Sequence, residues 1–307
     1  MNERYLWDRT GPPDEEVAHL ERMLGTLRYK HPVVTRRKIR WPIWFAGAAA
    51  AVICVGIIGA MLSRHQLTEW RFDNGRQIRT GQTIETGDLH GTRIEARDAG
   101  EVTVDPASRL RLVRSRTGEH FFDLRQGTIH AFIWAPAGQF VVDTPSSKAV
   151  DLGCRYTLQV SQNGNGLLTV EMGLVAFERD GVESFIPAGA SCVTRRDRGP
   201  GTPYFGDATT EMKTALNRFD TTGNSTAFAD ALTAARPRDA LSLWHLMTRT
   251  QGERRAEVFD RMASLVSLPP EANRELILRS DRGALDAAWD SLHLGDAAVW
   301  RKWRRRW

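Results

Sequence analysis

Twenty-two consecutive positions, Trp41 to Leu62, carry no Asp, Glu, Lys, Arg or His. At 1.5 Å per residue a helix over that run rises about 33 Å, enough to cross the roughly 30 Å hydrocarbon core of a bilayer. The pattern therefore predicts one transmembrane helix at 41–62, with a tail at 1–40 and a juxtamembrane linker at 63–84. Forty residues precede the run, and it exceeds the roughly 7–15 apolar residues of a cleaved signal peptide. It is expected to remain as an anchor.

The other hydrophobic positions are intermittent, and their spacing changes along the chain. In the tail, Val17, Leu20, Leu24 and Leu27 recur at steps of three and four, which places them on one helix face. Pro12, Pro13 and Asp14 open that helix, and Glu15 and Glu16 suit its positive end. A lone helix of this length is marginal in water, so its apolar face needs a partner. These four residues are the candidate partner-binding set.

From about residue 85 to 198 the period drops to two. Val102-Thr103-Val104, Leu110-Arg111-Leu112, Phe140-Val141-Val142, Tyr156 to Val160 and Leu168-Thr169-Val170 read as short strands separated by turn residues. Asn163-Gly164-Asn165-Gly166 reads as a hairpin turn, because these residues accept positive φ. About ten to twelve strands are expected between residues 91 and 195. A sandwich, a jelly roll and a short β-solenoid all satisfy the pattern.

Gly199-Pro200-Gly201-Thr202-Pro203 interrupts the alternation, and 199–206 reads as a linker. Beyond it, at 207–307, the period becomes helical. Helices are expected at 207–219, 225–236, from Pro237, at 253–266, from Pro269 to Arg279 and at 283–292. The loops are short, so neighbouring helices should pack antiparallel. The predicted fold class is a membrane-anchored α+β chain in separate domains, all-β and then all-α.

Charge fixes the orientation. Arg28, Lys30, Arg36, Arg37, Lys38 and Arg40 precede the span with no acid among residues 28–40. After it, residues 63–75 hold only Arg64 and Arg71, with Glu69 and Asp73. Positive flanks stay inside, so the N-terminus is expected in the cytoplasm and residues 63–307 outside. The net charge of +5 partly reflects this topology signal and the basic end Arg301 to Arg306, so no nucleic-acid partner is inferred.

Cys54 lies in the span. Cys154 and Cys192 lie in the outer part, an oxidising setting, and are a candidate disulfide. Closing that loop would stabilise by about 4 kcal/mol in the chain-entropy model. No catalytic, cofactor or metal constellation appears. His65, His90, His120, His130, His245 and His293 lack metal-ligand spacing, and no His-Glu-x-x-His occurs. Ser191 lacks the flanking glycines of a nucleophile elbow. Trp244 and Trp289 are expected to fill helix contacts.

Four pieces of the β region carry a family resemblance. They are Leu124-Arg125-Gln126-Gly127 with Ala131-Phe132, then Phe140-Val141-Val142-Asp143-Thr144-Pro145, then Val150-Asp151-Leu152-Gly153-Cys154-Arg155-Tyr156, and Thr169-Val170-Glu171-Met172-Gly173-Leu174-Val175. In this order they resemble the FecR domain. The family pattern has a Leu-x-x-Gly turn, a strand ending in Thr, a Leu-Gly-x-x-aromatic step and a Val-x-x-Gly-x-Val strand pair. The resemblance implies a single-pass regulator with a periplasmic FecR domain and a cytoplasmic segment that holds a sigma factor. It implies no catalysis and no cofactor.

Two readings follow. In the first, the chain is an inner-membrane signalling protein whose tail holds a sigma factor or another cytoplasmic regulator. In the second, it is an envelope scaffold whose outer domains bind a protein or a polysaccharide, with the tail as an anchor only.

Overall fold

The computed structural model describes residues 15–25 and 69–295. The two stretches belong to separate compact units, residues 1–56 and 57–307. Among the described residues no helix is long and apolar enough to cross a membrane. The span expected at 41–62 lies outside them, as does Leu27.

In the first unit, helix α1 is Glu15–Gly25. Glu15 and Glu16 occupy its first turn, where carboxylates meet the positive end of the helix dipole.

In the second unit the β region opens with β1 (Arg71–Phe72), β2 (Thr83–Glu85), β3 (Thr92–Ala96), β4 (Gly100–Val104) and β5 (Arg109–Arg116). It continues with β6 (Glu119–Ile133), β7 (Phe140–Asp143), β8 (Lys148–Asp151), β9 (Arg155–Val160) and β10 (Gly166–Met172). The last strands are β11 (Leu174–Arg179), β12 (Val182–Pro187), β13 (Ala190–Arg195), β14 (Gly199–Pro200) and β15 (Tyr204–Phe205). All 15 form one hydrogen-bonded network.

Strand β6 organises the network. Its first half pairs with β5 and runs parallel to β7; its second half pairs with β4 and β9. One strand thus serves two sheets. One sheet continues through β7, β8, β11 and β12, the other through β9, β10, β13 and β14. β11 and β12 lie back against β10, β13 and β14, so the alternate apolar side chains of both sheets share one interior.

The change of sheet falls at Gly127. Its φ is +99°, and a Cβ there would lie 2.4 Å from the Cα of Ser108, so only glycine fits. The Leu-x-x-Gly piece expected as a turn is therefore the bend inside a 15-residue strand. Ser108 completes the corner by accepting from the Thr128 N–H at 3.0 Å.

The hairpin expected at Asn163 to Gly166 forms, joining β9 to β10. Asn163 Oδ1 accepts from Asn165 N and from Ser161 Oγ, and Gly164 has φ +84°. Asp180 and Gly181, at φ +50° and +80°, make the two-residue turn between β11 and β12, in the left-handed conformation that a twisted hairpin favours.

The helical region holds α2 (Thr210–Thr222), α3 (Ser225–Ala234), α4 (Ala240–Arg249), α5 (Gly252–Leu265), α6 (Arg274–Leu278) and α7 (Arg282–Asp290). Side chains cap four of these: Thr209, Asn224, Asn273 and Asp281 each accept from backbone N–H groups two or three residues on. The helix expected over 269–279 splits at Asn273 into a 3-10 turn, Pro270–Ala272, and α6.

Two expectations about organisation are corrected. Residues 199–206 are not a free connector. β14 and β15 both pair with β13, and Pro200 is tolerated because β14 ends its sheet, where a missing N–H breaks no ladder. Nor do the strands and helices form separate cores. Phe185 of β12 packs 5.9 Å from Trp244 and 5.5 Å from Trp289, ring centre to ring centre, and one buried cluster runs from Trp70 to Trp289.

Candidate functional site

Three places in the molecule combine position with chemistry: α1, the sealed contact between sheet and helices, and the open face of the sheet that carries β9 and β10.

On α1, Leu20, Met23 and Leu24 are more than half exposed, and Val17 is half-buried. An apolar stripe of this kind on a short helix has an incentive to find a partner. Val17, Leu20 and Leu24 thus lie on the described helix, and Leu27 lies beyond it.

The sealed contact centres on Arg249, at the end of α4. Its guanidinium donates to the Glu183 carbonyl at 3.0 Å, to Thr202 Oγ1 at 3.2 Å and to Ser184 Oγ, and lies 3.9 Å from Asp220 Oδ1. Asp220, on α2, also accepts from Thr202 N at 2.7 Å and Thr202 Oγ1 at 2.8 Å. The Arg249 and Asp220 side chains are only 17% and 13% exposed, so the pair is largely shielded from solvent. Burial pulls the guanidinium below its ordinary pKa, and Asp220 offsets part of that. Beside it, His245 Nδ1 donates to the Leu241 carbonyl at 2.9 Å and Nε2 accepts from Phe185 N at 2.9 Å. Burial and the Arg249 charge hold this imidazole neutral, with its pKa lowered to about 3.

Cys154 and Cys192 are free thiols, so the expected disulfide is absent here. Each sulfur engages a different carbonyl, Leu174 O at 2.9 Å and Gly201 O at 3.2 Å. The even number and the outer position suggested pairing, but both side chains serve as small buried hydrophobes with a weak donor. Burial pushes the Cys192 thiol up to about 12 and Cys154 higher still, which keeps both protonated and unreactive.

His120 and Asp151 are among the polar groups buried within the β core. Trp70, fully buried, donates its indole N–H to His120 Nδ1 at 3.2 Å and packs 5.0 Å from the Phe122 ring. This leaves the imidazole proton on Nε2; burial lowers the His120 pKa to about 4. Asp151 ends β8 and accepts from Gly153 N at 2.6 Å, but its Oδ2 and the neighbouring Tyr156 hydroxyl lack hydrogen-bond partners among the described residues. Burial raises the Asp151 pKa to about 7. The adjoining loop is tight: a Cβ on Gly173 would lie 2.2 Å from the Gly153 carbonyl. The glycines of two resemblance pieces are therefore in backbone contact.

The open face carries the outward positions of β4, β6, β9, β10 and β13. One row runs Thr103, His130, Thr157, Thr169, Ser191 and Tyr204 by strand register. His130 Nδ1 meets Thr157 Oγ1 at 2.9 Å, its Nε2 meets Asp105 Oδ2 at 3.1 Å, and Thr169 meets Ser191 at 3.0 Å. The adjacent row brings Phe132 beside Arg155, whose guanidinium lies 4.4 Å above the ring. Trp134 is 47% exposed, with its N–H on the Arg97 carbonyl at 2.9 Å. Where the face meets α2, a cavity of about 310 Å³ is lined by Arg195, Tyr204, Lys213 and Asn217, with Thr202 and the Asp220 carboxylate of the Arg249 contact on its wall. Alternation in the sequence put these positions outside; nothing in it foretold that α2 would close one end. Among the described residues no group of three or more metal-ligating side chains occurs.

Comparison with known proteins bears on the sheet. Two crystal structures of a "putative anti-sigma factor" from Parabacteroides distasonis ATCC 8503, at 1.65 and 2.50 Å resolution, align at 13% and 14% identity with a TM-score of 0.36 each. The alignments cover 45% of this chain and 65% and 64% of that one, just under two thirds of its length. No curated protein matches the sequence. A family model described as FecR protein matches residues 82–176, which contain all four motif pieces. That stretch, from β2 to the start of β11, is a FecR region.

Proposed function

We propose that this chain is a single-pass inner-membrane regulator. Residues 1–40 lie in the cytoplasm, 41–62 cross the membrane, and the FecR region with its helices faces the periplasm. A contact made outside changes the grip of the tail on a cytoplasmic regulator, a sigma factor in the first instance. The reading includes no catalytic step and no cofactor. The observation that carries it is the FecR match placed directly downstream of a charge-free 22-residue run. The exposed Leu20, Met23 and Leu24 of α1 supply the surface the tail would use.

The test is a crosslinking pull-down from membranes with the full chain and with a version lacking residues 1–30. Capture of a sigma factor by the full chain alone supports the proposal. Changing Leu20 and Leu24 to Asp should abolish that capture and leave the thermal transition of the outer region in place, since α1 belongs to a separate unit. Equal capture by the Asp variant refutes the proposed face. A protease-protection assay on spheroplasts tests the orientation separately. A second reading, an envelope scaffold, is favoured by the open polar face of the sheet; it gains ground if both versions recover the same envelope partners and nothing cytoplasmic.

A further inference from the structure

The open face treats its cations in two ways. Arg93 is paired with Glu101. Arg155, Arg195 and Lys213 are not: among the described residues none has a carboxylate within ion-pair distance. Each is held by something else. Arg155 lies over Phe132, Arg195 donates to Asn217 Oδ1, and Lys213 donates to the Gly206 carbonyl at 2.7 Å, with its ammonium 5.7 Å from the Tyr204 ring centre. These cations are positioned without being neutralised.

Between them runs the Thr-His-Thr-Thr-Ser-Tyr row. Adjacent strands are about 4.8 Å apart, so the row from β4 to β15 is on the order of 24 Å long. Short hydroxyls on a pleated face offer both donors and acceptors. Aromatic rings stand near both ends, Trp134 with Phe132 at one and Tyr204 at the other; Trp134 and Phe132 brace each other at 5.6 Å. The 310 Å³ cavity at the Tyr204 end is near the lower bound of small-ligand sites, about 300 Å³.

We propose that this face binds an anionic polysaccharide, a uronate-bearing chain laid across the strands. The unpaired cations take its carboxylates, the hydroxyl row meets its ring hydroxyls, and a sugar ring stacks on Tyr204 beside the cavity. The charges are spread across the sheet, which suits a chain with spaced carboxylates. The inference rests on the proposed periplasmic location only for the source of the ligand; binding itself is a property of the purified chain.

The experiment is a calorimetric titration of the detergent-solubilised full chain with polygalacturonate. Fully methyl-esterified polygalacturonate, neutral dextran and purified peptidoglycan sacculi are run in parallel. Polygalacturonate should bind, and esterification or high salt should weaken binding about tenfold, equivalent to 1.4 kcal/mol. Arg155→Glu with Lys213→Glu should lower affinity by at least about tenfold, whereas the charge-matched control Arg111→Glu with Arg282→Glu should change it less than about twofold. If the reversal perturbs the thermal transition, Arg155→Gln with Lys213→Gln replaces it, with a loss of about threefold expected. No binding of polygalacturonate overturns the proposal. So does equal binding of the ester, binding of sacculi alone, or equal loss in both charge-matched variants. A wrong orientation in the membrane leaves this titration unchanged and appears in protease protection instead.

Discussion

The sealed contact around Arg249 and the open face around Arg155 are built from the same residue types, yet they do opposite things. Both combine arginine, serine and threonine. At the sealed contact Ser184 and Thr202 accept from the guanidinium, which has Asp220 beside it and leaves its Nε without a partner among the described residues. On the open face Thr169 and Ser191 bond each other, while Arg155, Arg195 and Lys213 keep no acid within ion-pair distance among the described residues. Polar residues that satisfy each other fix a fold; polar residues left half-satisfied in water are available to a partner. Burial separates the two roles more sharply than residue identity does.

Three changes probe this contrast. The largest effect should come from Arg249→Ala, which removes the guanidinium's bonds to Glu183, Ser184 and Thr202 and leaves Asp220 without its counter-charge. Breaking a buried pair by removing one partner costs about 3–5 kcal/mol, and denaturant unfolding of the variant should show that loss. A cost under about 1 kcal/mol would mean the contact is wet and the contrast false.

The next largest is a pH effect at Asp151. Its folded pKa, about 7, lies above the ordinary 3.8 of an unfolded chain. Its neutral form therefore adds stability that is fully present below pH 3.8 and lost as pH rises through 7. His120 and His245, with folded pKa values of about 4 and 3, act in the opposite sense. Their contribution is full above the ordinary 6.5 and is lost as pH falls toward the folded values. Asp151→Asn isolates the carboxyl. Its stability relative to the wild type should climb between pH 4 and 7 by on the order of 3 kcal/mol, from about 1.4 kcal/mol per pKa unit. A flat difference across that window would show that the carboxylate finds solvent.

The smallest change is the most direct comparison, one hydroxyl deleted on each side. Ser184→Ala removes an acceptor from Arg249 and should cost about 1–3 kcal/mol, whereas Thr169→Ala on the open face should stay within about 0.5 kcal/mol. Equal costs, read from paired melts, would collapse the distinction.

Much of the architecture was legible locally. Alternation placed the strands of the FecR region, the Asn163 to Gly166 turn announced its hairpin, and the helical period put helices close to α3 and α7. What local pattern could not show was anything decided by distant partners. The Gly127 bend needs Ser108 opposite it to be understood. Residues 199–206 read as a linker because Gly and Pro punctuate flexible segments, yet β13 recruits them as edge strands. Of the candidate site, the apolar stripe of α1 was readable from its spacing. The sealed contact was not, since Ser184, Asp220 and Arg249 come from β12, α2 and α4, Thr202 from the connection between β14 and β15, and the four share no spacing. The disulfide failed for the same reason: counting cysteines says nothing about what lies beside each sulfur.

Trp70 has a mechanical consequence. It is among the first described residues of the second unit, fully buried, and bonded to His120 on β6. The indole is set into the strand ladder like a bolt in a beam. β6 runs through both sheets, so a change that loosens Trp70 is expected to loosen both of them at once.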